Sequence, residues 1–579
     1  MTTGRVFAAA LALLAIATAA AGREFPDVDR TSDTNTRQAY YGDLRLVTQD
    51  AIAAYFEGTR VTPDEAYRFA RGEPVTVDGQ SISRKSAPLD FLAVTNMAEN
   101  LGLFATLDDP NSAFSRTQIG KALRDPATRA NAHNMFYDLM FKGHGREEAL
   151  LGVDPQVVNE VAESAWRQEI AAANRNYQPG KFTTFIGYHW TAKLGGTLDR
   201  VVLFRGDNAP MPFTGIDSIR PEDLWTYMEN NRKQGHDVIA IPHNPSDSNG
   251  LLFNGLDSEG RLIDRAYSER RAANEPLVEI YAEVQSEAHP RLSPQDPFSN
   301  FELGADEKKT VVPQGGYVRN ALGRGLQIAQ KTGGVDPYKV GFVGGTDFHN
   351  GLSDAAENAS ASTPNAHNPA KPLAPPELRR ALGGSWDGSG GLTGVWAEQN
   401  TRESIFDALR RKETFATSGT RLKFRFFAGW DYDNTLFENK DWIKAAYRRG
   451  APMGGDLPAK PNGRSAPTFA AWAAKDAAGA NLDRLQIIKL WVKDGSYVEK
   501  IYDVAVSDGR APELSIVWRD PDFDPKTRAA YYLRVLEIPT QRWSTIVAAR
   551  AGIELPARMP TTLQERGWSS PIWYAPPAR

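Results

Sequence analysis

Eight histidines are spread through 579 residues, and cysteine is absent. Imidazole nitrogens and carboxylate oxygens are therefore the donors this chain offers to a divalent transition metal. Thiolate sites, disulfides and cysteine nucleophiles are excluded. Several such donors stand beside short apolar runs. His189 follows Phe185-Ile186-Gly187-Tyr188, Asp199 precedes Arg200–Phe204, and His243 closes Val238-Ile239-Ala240-Ile241-Pro242. Glu279 lies within Val278-Glu279-Ile280, and Asp347 and His349 follow Phe342-Val343-Gly344-Gly345-Thr346. Taken singly, each has a plain structural reading as a hydrogen-bonded residue at a strand end. Asp347-x-His349 is the strongest local pattern. His133, His144, His236 and His367 read as surface residues of helices or loops; His289 follows Glu287 in a polar loop. No P-loop, His-Glu-x-x-His or Gly-x-Ser-x-Gly motif occurs, and Gly383–Gly388 reads as a flexible glycine loop.

The elements that must position these donors follow from the pattern of apolar runs. Strands are expected over Ala39–Val47, Phe91–Val94, Phe182–Tyr188, Arg200–Phe204, Asp237–Ile241, Leu277–Ile280 and Val340–Val343. Helical periodicity covers Asp154–Arg175, Glu222–Gln234, Val318–Lys331 and Thr401–Lys412. Strand, polar terminus and helix in repetition predict an α/β fold with its site at one end of the strands. Residues 106–175 read as a mostly helical insertion, and 353–376 as a long Ala-, Asn-, Ser- and Pro-rich loop. The first domain is expected to span 22–418. Residues 419–579 read as a β-rich C-terminal domain, with turns at Lys493–Gly495 and Ser507–Gly509.

Composition sets the class. A hydrophobic fraction of 41% and a charged fraction of 24% are those of a globular chain. A net charge of −4 leaves no electrostatic footprint for nucleic acid. At the N-terminus, Arg5 precedes the apolar run Val6–Ala21, whose small residues end at Gly22-Arg23. This predicts a signal peptide over 1–21, cleavage near Gly22, and a mature periplasmic or extracellular protein with no membrane attachment.

Longer motifs carry a family resemblance. They include AYYGDL (39–44), FEGTRVTPDEAYRFARGEP (56–74), LDFLAVT (89–95), FTTFIGYHW (182–190) and IPHNPSDSNGLLF (241–253). Further along come GGTDFHN (344–350), WAEQNTRESIFDALRRKETFATSGTR (396–421), PMGGDL (452–457), LQIIK (485–489), YYLRVLEIPTQRW (531–543) and ERGWSSPIW (565–573). The chain resembles a large family of exported bacterial proteins of unknown function. That family's core is similar to the PHP (polymerase and histidinol phosphatase) metallophosphoesterase fold. The resemblance implies a distorted PHP-like (β/α) barrel, a multi-metal centre and metal-dependent ester hydrolysis.

The chain departs from the family pattern at several ligand positions. The usual His-x-His after Gly-Asp-Leu is Arg45 and Val47, and the usual Thr-Asp-His is Thr95-Asn96-Met97. His189 replaces a glutamate and Asp199 a histidine, while His243, Asp347 and His349 match. Valine cannot ligate, and a guanidinium has no lone pair to give. The metal position served by His-x-His is therefore expected to be lost, with Arg45 pairing Asp347 in its place. In the family scheme His189, Asp199 and His243 surround one metal, so the expected remnant is a single Zn, Mn or Fe ion, with Asp347 and His349 as further candidate ligands. Arg45, Arg200, Arg319 and Asn244 are the candidates for holding a small anionic ester, whether phosphate, phosphonate or sulfate. Two alternatives accompany this hydrolase: a catalytically inactive PHP-like anion-binding protein, and an interaction protein using its β-rich domain.

Overall fold

The structure is a computed structural model, and it describes residues 37–125, 128, 153–192, 195–303, 311–356, 388–557 and 559–577. The segment 1–21 expected to be a signal peptide, the expected glycine loop over 383–387, His133, His144, His367 and most of the expected loop 353–376 lie outside the described residues. Residues Arg37–Arg579 form one compact unit.

Strands of the first half are β1 (Gln38–Leu46), β2 (Val75–Val77), β3 (Gln80–Ile82), β4 (Phe91–Val94), β5 (Thr183–Trp190), β6 (Arg200–Phe204), β7 (Val238–Pro242), β8 (Leu277–Tyr281) and β9 (Gly341–Gly344). Then follow β10 (Leu392–Ala397), β11 (Thr414–Thr417), β12 (Lys423–Gly429), β13 (Gly450–Pro452), β14 (Thr468–Ala474), β15 (Leu482–Lys493), β16 (Ser496–Ala511) and β17 (Glu513–Arg519). The last are β18 (Ala529–Glu537), β19 (Thr540–Gln541), β20 (Thr562–Leu563), β21 (Arg566–Ser569) and β22 (Ile572–Tyr574). Most form one mixed 12-stranded sheet, in the order β16-β15-β18-β21-β11-β10-β1-β4-β5-β6-β7, with β22 on β18. β8 and β9 make a separate parallel pair, and β13-β12-β14-β17 a four-stranded sheet. The fold is thus mixed α/β with a β-rich C-terminal region.

Strands β4 to β9 are buried along their whole length. Covering both faces demands the continuous apolar runs seen in the sequence. Helices pack beside them and carry clear start signals. Thr62 caps Pro63–Ala70 in a reciprocal box with Glu65, and Asp154 caps Pro155–Asn176, which opens on proline. Trp166, Trp190 and Trp225 fill the adjoining core. No described helix is long and apolar enough to cross a membrane.

Pairing direction positions the site. β1, β4 and β5 run parallel, but β6 is antiparallel to both β5 and β7. Arg200, the first residue of β6, therefore pairs with Trp190 near the end of β5 and with Pro242 at the end of β7. This register sets Asp199 beside His189 and His243.

The expected turn at Ser507–Gly509 is corrected. These residues lie inside β16, where Ser507–Arg510 bulge out opposite the single residue Asp483 of β15. Gly509 takes φ +83°, and its N–H donates to Ser507 Oγ, so the bulge uses turn-forming residues without reversing the chain. Lys493–Gly495 is a genuine hairpin turn: Lys493 pairs Ser496 across Asp494 and Gly495, both at positive φ.

Candidate metal centre

His189, Asp199 and His243 offer ligand atoms that all lie within 4.8 Å of one another. All three are buried, at 3%, 6% and 1% exposure. His189 Nε2 is 3.3 Å from Asp199 Oδ2, and the two imidazoles meet edge to face with centroids 4.4 Å apart. The other Asp199 oxygen accepts from the Ala192 N–H at 2.8 Å, which fixes the carboxylate. His189 Nε2 and both ring nitrogens of His243 are buried with no hydrogen-bond partner. Buried polar atoms are nearly always satisfied, so several bare nitrogens in one place call for a ligand. Tetrahedral donors at ~2.1 Å from a zinc-sized ion stand about 3.4 Å apart. The His189–Asp199 separation already has that value, and the set fits one ion. His243 is held neutral: burial, then the charge of Arg45, keeps its pKa well below the ordinary imidazole value. A neutral imidazole is the form that ligates.

Arg45 lies against this triad. Its Nη1 donates to Glu279 Oε1 at 2.7 Å and to Asn244 Oδ1 at 3.0 Å, and its Nη2 pairs with Asp347 Oδ1 at 2.6 Å. Burial pushes Glu279 up to about 7, against the pull of Arg45. Asn244 and Asp347 lie two and three residues beyond β7 and β9 and take left-handed φ of +46° and +57°, a conformation Asn and Asp tolerate best among residues with a side chain. Gly345 leaves room between the partners: a Cβ there would sit 2.8 Å from Glu279 Oε2 and 3.1 Å from Arg45 Cβ. Behind Arg45, Asp43 accepts from Thr346 and Ser353 hydroxyls and from the Arg45 N–H.

The remaining sequence candidates are distributed as follows. His349 Nδ1 contacts Glu57 Oε2 at 2.8 Å; burial alone would lower its pKa, but Glu57 outweighs this and raises it. Asp347 and His349 are thus engaged by Arg45 and Glu57, outside the three-residue set. Arg200 is buried against Glu275 at 3.0 Å and donates to the Leu198 carbonyl. Arg319 is buried with Glu287 and Asp296. Arg200 is held by Glu275 and the Leu198 carbonyl, while its charge still reaches His243 and helps keep that imidazole's pKa low. Val47 and Met97 join an apolar cluster with Leu103 and Phe104. Asn96 bridges Thr48 and Glu169. Sequence reasoning did not assign Glu279 to Arg45, nor Glu57 to His349. The available signal for Glu279 was an acidic residue inside a run that must be buried on both sides. Glu99 was also missed: its Oε1 accepts from the Thr191 and Gly215 N–H groups, and its Oε2 is buried and bare.

The sequence profile of the family described as "Protein of unknown function (DUF3604)" matches residues 34–512 and 510–576, and the chain belongs to that family. No curated protein matches it. A solved structure from Bacteroides vulgatus, a two-domain protein containing a predicted PHP-like metal-dependent phosphoesterase, is similar over 86% of this chain and 91% of that one. The identity is 10% and the TM-score 0.29.

Proposed function

We propose that the chain is an exported, metal-dependent hydrolase of phosphate, phosphonate or sulfate esters, with one metal held by His189, Asp199 and His243 on a distorted PHP-like barrel. The observation that carries this reading is the set of bare, buried ring nitrogens on His189 and His243 beside Asp199. A divalent cation bound there supplies Lewis-acid polarisation of an ester oxygen and acidifies a coordinated water. The chain's own residues do the rest. Asp199, anchored by the Ala192 N–H, keeps one oxygen toward the triad. Neutral His243 presents a free lone pair. Arg45 keeps positive charge beside them, where an anionic ester benefits. His349, backed by Glu57, holds a proton on the same flank as Asp347. For the barrel, the supporting feature is the parallel bridge between Leu46 and Phe348, which joins the end of β1 to the segment after β9. For export, it is the residue pattern of 1–23.

The test is metal analysis of protein purified without a histidine tag, followed by a screen of aryl phosphate and sulfate esters, with His243→Ala in parallel. About one metal per chain and turnover that His243→Ala abolishes support the reading. Metal-free protein that gains thermal stability from phosphate or sulfate but turns over no ester makes it an inactive anion-binding protein instead. Intact mass of the secreted chain checks cleavage near Gly22.

A further inference from the structure

Among the described residues, the buried side chains of the lysine–arginine type are arginines with one exception. Arg45, Arg200, Arg271, Arg319, Arg534 and Arg542 sit in buried ion pairs, and Lys489, at 1% exposure, is the single buried lysine. For a static pair arginine is the better choice, because its planar fork fits a carboxylate and it stays charged. Lysine differs in one chemical respect: its amine can lose a proton and become a nucleophile, and burial promotes that loss. Burial does lower the Lys489 pKa, against the pull of Asp520.

The partner is set as firmly as the amine. Lys489 lies within β15 of the large sheet, and Asp520, also 1% exposed, directly follows β17 of the four-stranded sheet. Lys489 Nζ donates to Asp520 Oδ2 at 2.6 Å and to the Asp522 carbonyl at 2.7 Å. The Trp491 and Tyr531 rings lie 4.7 and 5.7 Å from Nζ. The Asp522 N–H donates to Asp520 Oδ1 at 2.9 Å. Tyr531, the register partner of Lys489 across β15 and β18, donates its hydroxyl to Asp520 Oδ2 at 2.8 Å. An amine beside an acyl carbon, an N–H on one carboxylate oxygen and a hydroxyl on the other are the parts of an acyl transfer, closed off from water.

We infer that Lys489 and Asp520 condense to an intrachain isopeptide bond. The ion pair first returns to amine and carboxylic acid as a proton crosses from Nζ to Oδ2, the form that a dry site favours. Nζ then bonds to Cγ, and the Asp522 N–H meets the charge gathering on Oδ1. Tyr531 passes its hydroxyl proton to Oδ2 and takes one back from Nζ. The Cγ–Oδ2 bond breaks, and Oδ2 departs as water, its two protons supplied by the ammonium. No oxidant or cofactor enters. In a chain without cysteine the bond ties the large sheet to the four-stranded one as a disulfide would.

Mass spectrometry of a tryptic digest of the folded chain tests this. The expected product is a branched peptide in which the chain is uncleaved after Lys489 and joined there to the segment holding Asp520. It should be lighter by one water than its two parts and stable to hydroxylamine. Lys489→Arg should give the two peptides separately at full mass. Tyr531→Phe, taken from its folded fraction, should carry the bond in fewer chains; complete linkage there removes Tyr531 from the mechanism. Separate Lys489 and Asp520 peptides in the folded parent, unchanged after prolonged incubation, overturn the bond. So does a branched mass that persists in Lys489→Arg. A lost water found only at Asp494-Gly495 or Asp508-Gly509, as a succinimide that hydroxylamine opens, overturns it as well.

Discussion

Arg534 and Arg45 are both buried arginines facing two carboxylates, and they sit in very different company. Arg534 pairs with Glu287 and with both oxygens of Asp296, and its Nε donates to Gln486. Arg319, Tyr532 and the Trp568 indole complete the same acids. Arg45 keeps a bare Nε and lies against two histidines with bare nitrogens. The pKa directions follow suit. Burial opposes ionisation in both places, but Arg534 and Arg319 hold Glu287 down at about 2, whereas Glu279 is pushed up to about 7. A polar network of this kind, in which Arg319 Nη1 is the one buried nitrogen without a hydrogen bond, ties segments together; the more open one leaves valences for something else. The first joins the strands β18 and β21 to the helix Val318–Lys331. The second is the candidate site.

Breaking each network should give different losses. Arg534→Met leaves Glu287 and Asp296 with Arg319 as their remaining ion-pair partner and should cost about 3–5 kcal/mol in urea unfolding, the usual cost of breaking a buried pair. Arg45→Met in metal-free buffer should cost less, about 2–3 kcal/mol, because Glu279 already titrates at about 7 and can take up a proton. Equal losses would erase the contrast.

Ligand response sharpens it. Zn²⁺ or Mn²⁺ at a hundredfold its Kd should stabilise the unaltered chain by about 2.7 kcal/mol. Arg534→Met should keep this response and His243→Ala should lose it, as read by melting temperature.

Acid titration separates the two by sign. Glu287 is lowered in the folded state, so its contribution is present above about 4.5 and is lost as pH falls toward about 2. The cost of Glu287→Gln relative to the parent should therefore shrink on acidification through that window. Glu279 is raised, so its contribution is present below about 4.5 and is lost as pH climbs through about 7. The cost of Glu279→Gln should shrink in the opposite direction, with rising pH. The smallest effect belongs to the exposed pair Lys500–Asp522: Lys500→Ala should stay within about 0.5 kcal/mol.

Much of this frame is legible in the sequence. Arg200–Phe204 and Val318–Lys331 occur with the bounds that the apolar runs and the helical period imply. The closeness of His189, Asp199 and His243 follows once β6 is known to be antiparallel, which no local pattern states. Strands β21 and β22 escape pattern reading because Gly567, Ser569, Ser570 and Pro571 interrupt them, and their strand character comes from neighbours already in place. The Arg45–Glu279 pair joins β1 to β8, across several intervening strands in the chain, and a single sequence carries no signal for such a contact. Arg200 and Arg319 look like free cations in the sequence because their acidic partners, Glu275 and Glu287, are brought to them only by tertiary packing.

The place of β21 bears on how the molecule is made. Arg566–Ser569 lies between β11 and β18, inside the large sheet, yet it follows both of them in the chain. During synthesis the facing sides of β11 and β18 must wait as open edges until β21 emerges, and open edges invite pairing with other chains. Completion of the sheet is a late, non-local event, of the kind that slows folding. Deletion of β21 would therefore part β11 from β18 and take Trp568 away from Glu287, so the two halves of the sheet are joined by a strand made after both.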